Sequence, residues 1–214
     1  MPGLPTTAAL AAHSDRDLLH LVQAATPDGT GVGGGTATAD VDGVPVFLKR
    51  IPITDRELAA PRHTTNLFDL PVRHQYGMYR LPVPAFNAWR ELAANQIVTE
   101  GILAGEPALF PLLYHWRVLP GRPPVAPEHR DIDAVVDQFG GDRAIRARLE
   151  ALAGATASLV LFLQHLPADA SALLADPSAN AAIIARHSPA AERMNRFHHR
   201  LYDGDLDATY SPLE

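Results

Sequence analysis

The chain has 214 residues, of which 47% are hydrophobic and 20% charged, and this composition is typical of a globular protein. Lysine and arginine total 18 against 24 aspartate and glutamate, and the net charge of −6 excludes the basic field that nucleic acid or an anionic membrane surface attracts. The absence of cysteine excludes disulfides, thiolate nucleophiles and cysteine-bound zinc. The N-terminus lacks the basic segment of a signal peptide, and no stretch approaches the roughly 18 apolar residues of a membrane span, so we expect a cytoplasmic protein.

The N-terminal part predicts a short helix followed by a hairpin. Ser14 is a favourable N-cap for an amphipathic helix. An Asp-Gly pair at 42–43, between two valines, is typical of a two-residue hairpin turn. In the second strand, 44–51, alternation places Phe47 and Lys49 on one face and Val46 and Leu48 on the other.

Further elements follow in the rest of the chain. Five prolines between 52 and 85 favour extended or looped backbone, which predicts a long insertion. Near-helical spacing of apolar residues predicts a helix over 85–105, and the aromatic and aliphatic run 109–119 predicts a strand or strand pair. We expect a helix over 142–166, buried in its second half, and a final helix from 188 to about 202.

A glycine run precedes the hairpin that carries Lys49. Glycines allow backbone amides to approach phosphate closely, and a lysine on a neighbouring strand adds positive charge. The helix over 85–105 supplies Glu91, a carboxylate that could hold this lysine in place. Two plainer interpretations remain open: the glycines form a flexible turn, and Lys49 is a solvated charge at a strand edge.

With these features, the chain resembles the small lobe of protein kinases. It is more closely similar to a group of bacterial protein-kinase-like proteins, through the passages GVPVFLKRIPITDREL, NAWRELAAN and FPLLYHWRVLPG. The resemblance covers roughly residues 14–166. It implies an α+β fold in which residues 1–120 form a kinase-like small lobe, an antiparallel sheet plus one helix, and residues 121–214 form a shortened, all-helical remnant of the large lobe.

The resemblance also implies roles for individual residues. Lys49 would contact phosphate, Glu91 would be its partner on the helix, and residues 114–119 would form the hinge. The gap between Lys49 and Glu91 is longer than is usual in kinases, so Glu57 and Glu100 remain alternative partners. The glycines that would cover the phosphates are Gly31, Gly33 and Gly34.

The residues that transfer phosphate are missing from the sequence. Kinases orient the hydroxyl with an aspartate and hold magnesium with an asparagine five residues later. None of the asparagines of this chain follows an aspartate at that interval. The segment 129–131 followed by 137–140 imitates two kinase signatures, but Val136 occupies the asparagine position, so we interpret it as a coincidence. Because only about 95 residues follow Leu119, we expect most of the large lobe to be absent.

We therefore expect a pseudokinase, or a protein that binds a small molecule or a peptide. No cofactor is required, although ATP is compatible with such a cleft, and neither nucleic acid nor a membrane is expected as a partner. The histidines lack zinc-binding spacings, so no metal site is expected. A homodimer is a further alternative, because a missing lobe would leave apolar helix faces uncovered.

The alternative from another class is an enzyme of natural-product or modified-peptide biosynthesis. Its former nucleotide cleft would hold an organic substrate for cyclisation or elimination, without a cofactor. The candidate catalytic residues are Lys49, Glu91 and His115. The candidate pocket residues are Tyr114, His115 and Arg117.

Overall fold

The structure, a computed structural model, describes residues 4–31, 34–71, 87–105, 110–124 and 130–166. The chain divides into two units, Met1–His165 and Leu166–Glu214, and the fold below is that of the first. This unit extends past the predicted boundary at residue 120, because a strand at 157–164 belongs to its sheet. The predicted final helix, from 188 to 202, lies outside the described residues.

The described residues form six helices and five strands. The helices are α1 (Leu4–Ala12), α2 (Asp15–Ala24), α3 (Asp55–Ala59), α4 (Ala88–Leu103), α5 (Ile132–Gln138) and α6 (Arg143–Ala153). The strands are β1 (Thr26–Gly31), β2 (Gly34–Val41), β3 (Val44–Ile53), β4 (Leu113–Pro120) and β5 (Ala157–Gln164). Of the helices in these ranges, none is long and apolar enough to span a membrane.

One five-stranded antiparallel sheet organises the fold. Its order is β1-β2-β3-β5-β4, so the last strand in the sequence lies between β3 and β4. Helix α4 lies in the connection from β3 to β4, and the pair α5 and α6 lies in the connection from β4 to β5. The predicted α+β class is confirmed.

Both faces of the sheet are covered by helices. On one face, the buried residues Leu10, Leu18 and Val22 of α1 and α2 pack in a cluster with Leu48 and Phe162. On the other face, α4 packs in a second cluster, whose buried members from helix and sheet are Ile51, Ile53, Ala88, Trp89, Leu92, Leu159, Leu161 and Leu163. A strand in the centre of this arrangement must therefore be apolar on both sides.

This burial corrects the prediction of one long helix over 142–166. Its first half is α6, but its second half is β5, an interior strand of the sheet that lies between β3 and β4. Within β5, Val160 and Phe162 face the cluster of α1 and α2, whereas Leu159 and Leu161 face α4. An apolar run of this length fits both a buried helix and a central strand, and here pairing with two neighbours decides between them.

The local signals of the sequence are confirmed where side chains or turns determine the backbone. Ser14 caps α2, and its hydroxyl accepts a hydrogen bond from the amide of Asp17. At the β2–β3 turn, Asp42 and Gly43 have φ angles of 53° and 81°, as a type I′ turn requires. The β3 alternation is also confirmed, since Leu48 belongs to the first cluster and its neighbour Phe47 packs against the second.

The helix pair α5 and α6 builds a third apolar cluster beside α3. Its buried members are Phe68, Leu70, Val135, Val136, Ile145 and Leu149. Helix α6 is amphipathic, yet one charged residue, Arg148, lies among these apolar side chains and is fully buried. A buried charge requires a partner, and the partner of Arg148 is Glu57.

Candidate functional site

Lys49 and Glu91 form the centre of the candidate site. Lys49 lies on β3, Glu91 lies in the first turn of α4, and the lysine Nζ contacts the glutamate Oε1 as an ion pair. The two side chains are 30% and 27% exposed, so the pair lies at an accessible margin of the core. Of the three glutamates considered from the sequence, Glu91 is the one in contact with the lysine.

The neighbours of Lys49 on the same face are identified by the strand register. Lys49 lies opposite Thr36 of β2 on one side and Leu161 of β5 on the other, and Leu161 lies opposite Trp116 of β4. Cross-strand partners share a face, so these residues form one row beneath α4. The ring of Trp116 meets that of Trp89 edge to face, at a centroid distance of 6.0 Å, which fixes α4 against the row.

The predicted glycine loop connects β1 and β2. Gly31 and Gly34 are cross-strand partners at the end of this hairpin, and Gly33, between them, lies outside the described residues. Gly34 has a packing reason to be glycine, because a Cβ there would overlap the carbonyl oxygen of Arg50. Gly34 belongs to β2, which is adjacent to the strand of Lys49, whereas Gly31 belongs to β1, one strand further away.

The predicted pocket residues lie on the opposite face of the sheet from Lys49. His115 lies opposite Phe162, which belongs to the cluster of α1 and α2, and Tyr114 is buried in the same cluster. Arg117 approaches Asp15 of α2, with its Nη1 3.4 Å from Oδ1. The structure does not bring these residues together with Lys49 and Glu91, as the enzyme alternative required.

The predicted hinge, 114–119, is also placed differently. These residues belong to β4, which forms one edge of the sheet, and they pair with β5 rather than connecting two parts of the chain. The aromatic content of the segment follows from packing: Trp116 and Val118 face α4, and Leu119 is buried on the other side. A pattern of this kind does not distinguish a strand from an extended connection.

Burial changes the ionisation of the two ring side chains in β4. Desolvation lowers the pKa of His115 below its ordinary value near 6.5, and the positive charge of Arg117 lowers it further. Desolvation raises the pKa of the Tyr114 hydroxyl. Both side chains are therefore held neutral near pH 7, where they lie against the cluster of α1 and α2.

Glu57 is the buried partner of Arg148. Both side chains are fully buried, and two contacts of 3.0 Å join their four polar atoms, Nη1 to Oε2 and Nη2 to Oε1. Burial by itself raises the pKa of the Glu57 carboxyl, but the Arg148 charge and hydrogen bonds from Arg148, Thr54 and Ala88 outweigh it, and the net pKa is lowered. Glu57 is thus a buried carboxylate rather than a partner for Lys49.

The same glutamate anchors the start of α4. Its Oε1 accepts a hydrogen bond of 2.8 Å from the amide of Ala88, and its backbone carbonyl accepts one of 2.6 Å from the Trp89 indole. Asn87, the N-cap of α4, donates from its side chain to the carbonyls of His63 and Thr65. The first turn of α4, which carries Glu91, is therefore held by the segment around α3.

The remaining acidic candidates are accounted for by local structure. Glu100 is exposed near the other end of α4, three turns away from Ala88. Asp131 is the N-cap of α5 and accepts a hydrogen bond of 3.0 Å from the amide of Ala134. Asp137 is exposed within α5. The two aspartates of the apparent kinase signatures thus lie on one short helix.

Two signals for this arrangement were present in the sequence but were not used. Thr54 and Glu57 have capping-box spacing, which predicts the start of α3, and Arg148 interrupts the apolar stripe formed by Ile145 and Leu149. Moreover, Lys49 is the only lysine in the sequence, since every other basic residue of the 18 is arginine. Arginine would be equally suitable for a solvated surface charge, so a lone lysine at this position is a distinctive feature.

One groove on the described surface is lined by none of the predicted site residues. This groove, beside α1, α2 and the β2–β3 turn, is lined by Ala9, Ala12, His13, Asp17, His20, Leu21 and Asp42. In the described ranges, no three histidine, aspartate or glutamate side chains converge as metal ligands would. Comparison of the sequence with protein-family models and with curated proteins finds no match.

Proposed function

We propose that this protein is kinase-like and binds a phosphate-bearing nucleotide, without transferring phosphate, at the site centred on Lys49. The observation that carries the proposal is the ion pair between Lys49 on β3 and Glu91 on α4, the second helix after that strand. Protein kinases hold their phosphate-contacting lysine with a glutamate from the equivalent pair of elements.

The modest energy of this pair supports a binding role rather than a structural one. Ion pairs of this exposure contribute roughly 0.2–1 kcal/mol to stability, which is about as much as one buried methylene group contributes. The pair instead holds an ammonium group at a fixed and accessible position. An anion that approaches from the open side would find this charge already oriented.

The glycine hairpin supplies the second element of the proposed site. Gly34, at the start of β2, lies one strand away from Lys49, and its partner Gly31, at the end of β1, lies two strands away. Thr36 of β2 lies opposite Lys49 of β3, so the surface beside the ammonium group carries a hydroxyl group as well. Backbone amides and hydroxyl groups are suitable donors to phosphate oxygens.

The absence of phosphotransfer in the proposal rests on the sequence. No asparagine follows an aspartate at the catalytic-loop interval, and Asp131 caps a helix instead of lying free in a loop. The ligand would therefore be held and not consumed. In such a protein, as in pseudokinases, the bound nucleotide would stabilise one state of the protein. Alternatively, the protein would present the nucleotide to a peptide partner.

Because Lys49 is the only lysine, binding can be measured at a single side chain. We expect an acyl-phosphate derivative of ATP to acylate Lys49, and we expect unmodified ATP to protect it, as measured by intact mass and peptide mapping. Competition by ADP, adenosine and inorganic triphosphate would separate the contributions of the base and the phosphates. In a thermal-shift assay, ATP should raise the midpoint of the wild-type protein.

The matched variants are Lys49→Met and Arg90→Gln. Both remove one positive charge, but Arg90 is an exposed residue beside Glu91 on α4, so only Lys49→Met should abolish the thermal shift. Equal loss in both variants would indicate general charge attraction and would overturn the proposal. Acylation of Lys49 without protection by any phosphate-bearing competitor would also overturn it.

A further inference from the structure

The helix that carries Glu91 is connected to an element far away in the sequence. Arg148 belongs to α6, in the connection between β4 and β5, and Glu57 lies 91 positions before it. Oε1 of Glu57 in turn accepts a hydrogen bond from the amide of Ala88, the first residue of α4. A continuous series of buried polar contacts therefore runs from α6, through Glu57, to the turn that presents Glu91 to Lys49.

We propose that Arg148 is a positioning residue for the Lys49–Glu91 pair: by holding Glu57 in place, α6 fixes the first turn of α4. The inference concerns the free protein and does not depend on a nucleotide being bound. The packing supports it, because Arg148 also lies over the ring of Phe68, at 4.9 Å from its centroid, and so has little freedom to move. The Arg148 end of the connection is thus held in place.

The other hydrogen bonds to Glu57 come from neutral donors, so they cannot replace the positive charge of Arg148. Its Oε2 accepts from both the amide and the hydroxyl of Thr54, at 2.8 and 2.7 Å, and its Oε1 accepts from Ala88. Without Arg148 the carboxylate would keep these neutral donors but lose its only charged partner within the described residues. A buried carboxylate in this state takes up a proton, turns towards water or rearranges, and each change weakens or moves its contact with the first turn of α4.

The other end of α4 offers a contrast. There the hydroxyl of Thr99 accepts a hydrogen bond from the amide of Leu113 in β4, and Ile97 and Leu103 are largely exposed. Among the described residues, the second half of the helix is therefore held by this one side-chain hydrogen bond to β4 and by little apolar burial. The position of Glu91 depends on the first turn, which Glu57 and Arg148 secure.

The test is the acylation rate of Lys49 by an N-hydroxysuccinimide ester in the full-length free protein. The ester reacts with the neutral amine, so the lysine must leave the carboxylate and lose its proton first, and pairs of this exposure are held closed by a factor of about 1.4 to 5. We expect Glu91→Gln to raise the rate by about that factor, and Arg148→Met to raise it above the wild-type rate by up to the same factor. Peptide mapping separates Lys49 from the N-terminal amine.

Two further variants keep the inference falsifiable. Ile145→Ala destabilises α6 from the same buried cluster without touching Glu57, and it should leave the Lys49 rate unchanged. Arg148→Lys retains the charge, and its Lys49 acylation rate should lie between those of the wild-type protein and Arg148→Met. If Arg148→Met does not fold, Arg148→Lys tests the inference in its place. Folded Arg148 variants with the wild-type rate, or an equal rise in Ile145→Ala, would overturn the inference. Nucleotide binding plays no part in these measurements, so failure here leaves the proposed function to its own test.

Discussion

Arg148 and Glu57 are both fully buried and bind each other through two contacts of 3.0 Å, although 91 positions separate them. Pairs of this kind are costly to bury and are rarely a net source of stability compared with apolar residues of the same size. This one joins three elements, α3, α4 and α6. Its value therefore lies in the geometry that it imposes.

The first prediction concerns the cost of breaking this pair. Arg148→Met should lower the free energy of unfolding by about 3–5 kcal/mol, because it leaves a buried carboxylate without its charged partner. The double variant Glu57→Gln with Arg148→Met should lose less than Arg148→Met alone. By contrast, Lys49→Met should change stability by at most about 1 kcal/mol. Urea unfolding followed by circular dichroism measures all three, and a loss in Lys49→Met equal to that in Arg148→Met would contradict the assignment.

The second prediction is a loss of stability in acid that depends on Glu57. Its pKa in the folded protein lies below the ordinary value near 4.5, so its contribution is fully present above pH 4.5. The contribution is lost as the pH falls through the lower folded pKa, because the unfolded state then binds the proton more readily. Urea midpoints at pH 7, 5, 4 and 3 should fall steeply below pH 4.5 in the wild-type protein and less steeply in the Glu57→Gln, Arg148→Met double variant.

These results bear on what the sequence could and could not predict. The register of β3 and the place of Lys49 were predictable, because a type I′ turn at Asp42-Gly43 leaves the alternation no freedom. The strand β5 was not, since an apolar run buried on both sides carries no periodicity that separates strand from helix. Arg148 and Glu57 meet only through tertiary packing, and neither local spacing nor composition indicates which distant charge completes a buried pair.

The same reasoning explains why the pocket residues were misplaced. His115 and Arg117 are two positions apart on a strand and do share a face, as expected. Which face they share depends on the register between β4 and β5, and β5 was not recognised as a strand. Once Trp116 is paired with Leu161, and Leu161 with Lys49, both residues must lie on the far side of the sheet.

The third prediction concerns the pH dependence of stability that arises from His115, on the face of the sheet opposite Lys49. Burial and the nearby Arg117 lower its pKa below 6.5 in the folded protein, and its Nε2 has no hydrogen-bond partner among the described residues. The unfolded state therefore binds more protons between pH 7 and 5, and stability should fall as the pH falls through this window. His115→Phe should flatten the dependence, whereas His63→Asn, at an exposed position, should retain it. Urea midpoints at pH 7.5, 6.5 and 5.5 provide the comparison, and an unchanged slope in His115→Phe would refute the assignment.

The fourth prediction separates packing from ligand contact in the glycine hairpin. A Cβ at Gly34 would overlap the carbonyl oxygen of Arg50, so Gly34→Ala should lower the free energy of unfolding by about 1–3 kcal/mol, the range for overpacked sites. The control is Gly154→Ala at the end of α6, where the added Cβ would be 3.5 Å from the carbonyl oxygen of Glu150 and the φ angle is −84°.

At Gly154, alanine should leave stability unchanged or raise it by about 0.4–1 kcal/mol, because it restricts the unfolded chain without strain in the folded one. Thermal and urea unfolding of the two variants measure the difference, and equal stability would show that the β2 backbone moves away from Arg50 at little cost. The result also determines how binding data are interpreted. If Gly34→Ala is destabilised as expected, any loss of nucleotide binding in that variant follows from displacement of the hairpin relative to β3, and Lys49→Met remains the variant that reports on phosphate contact.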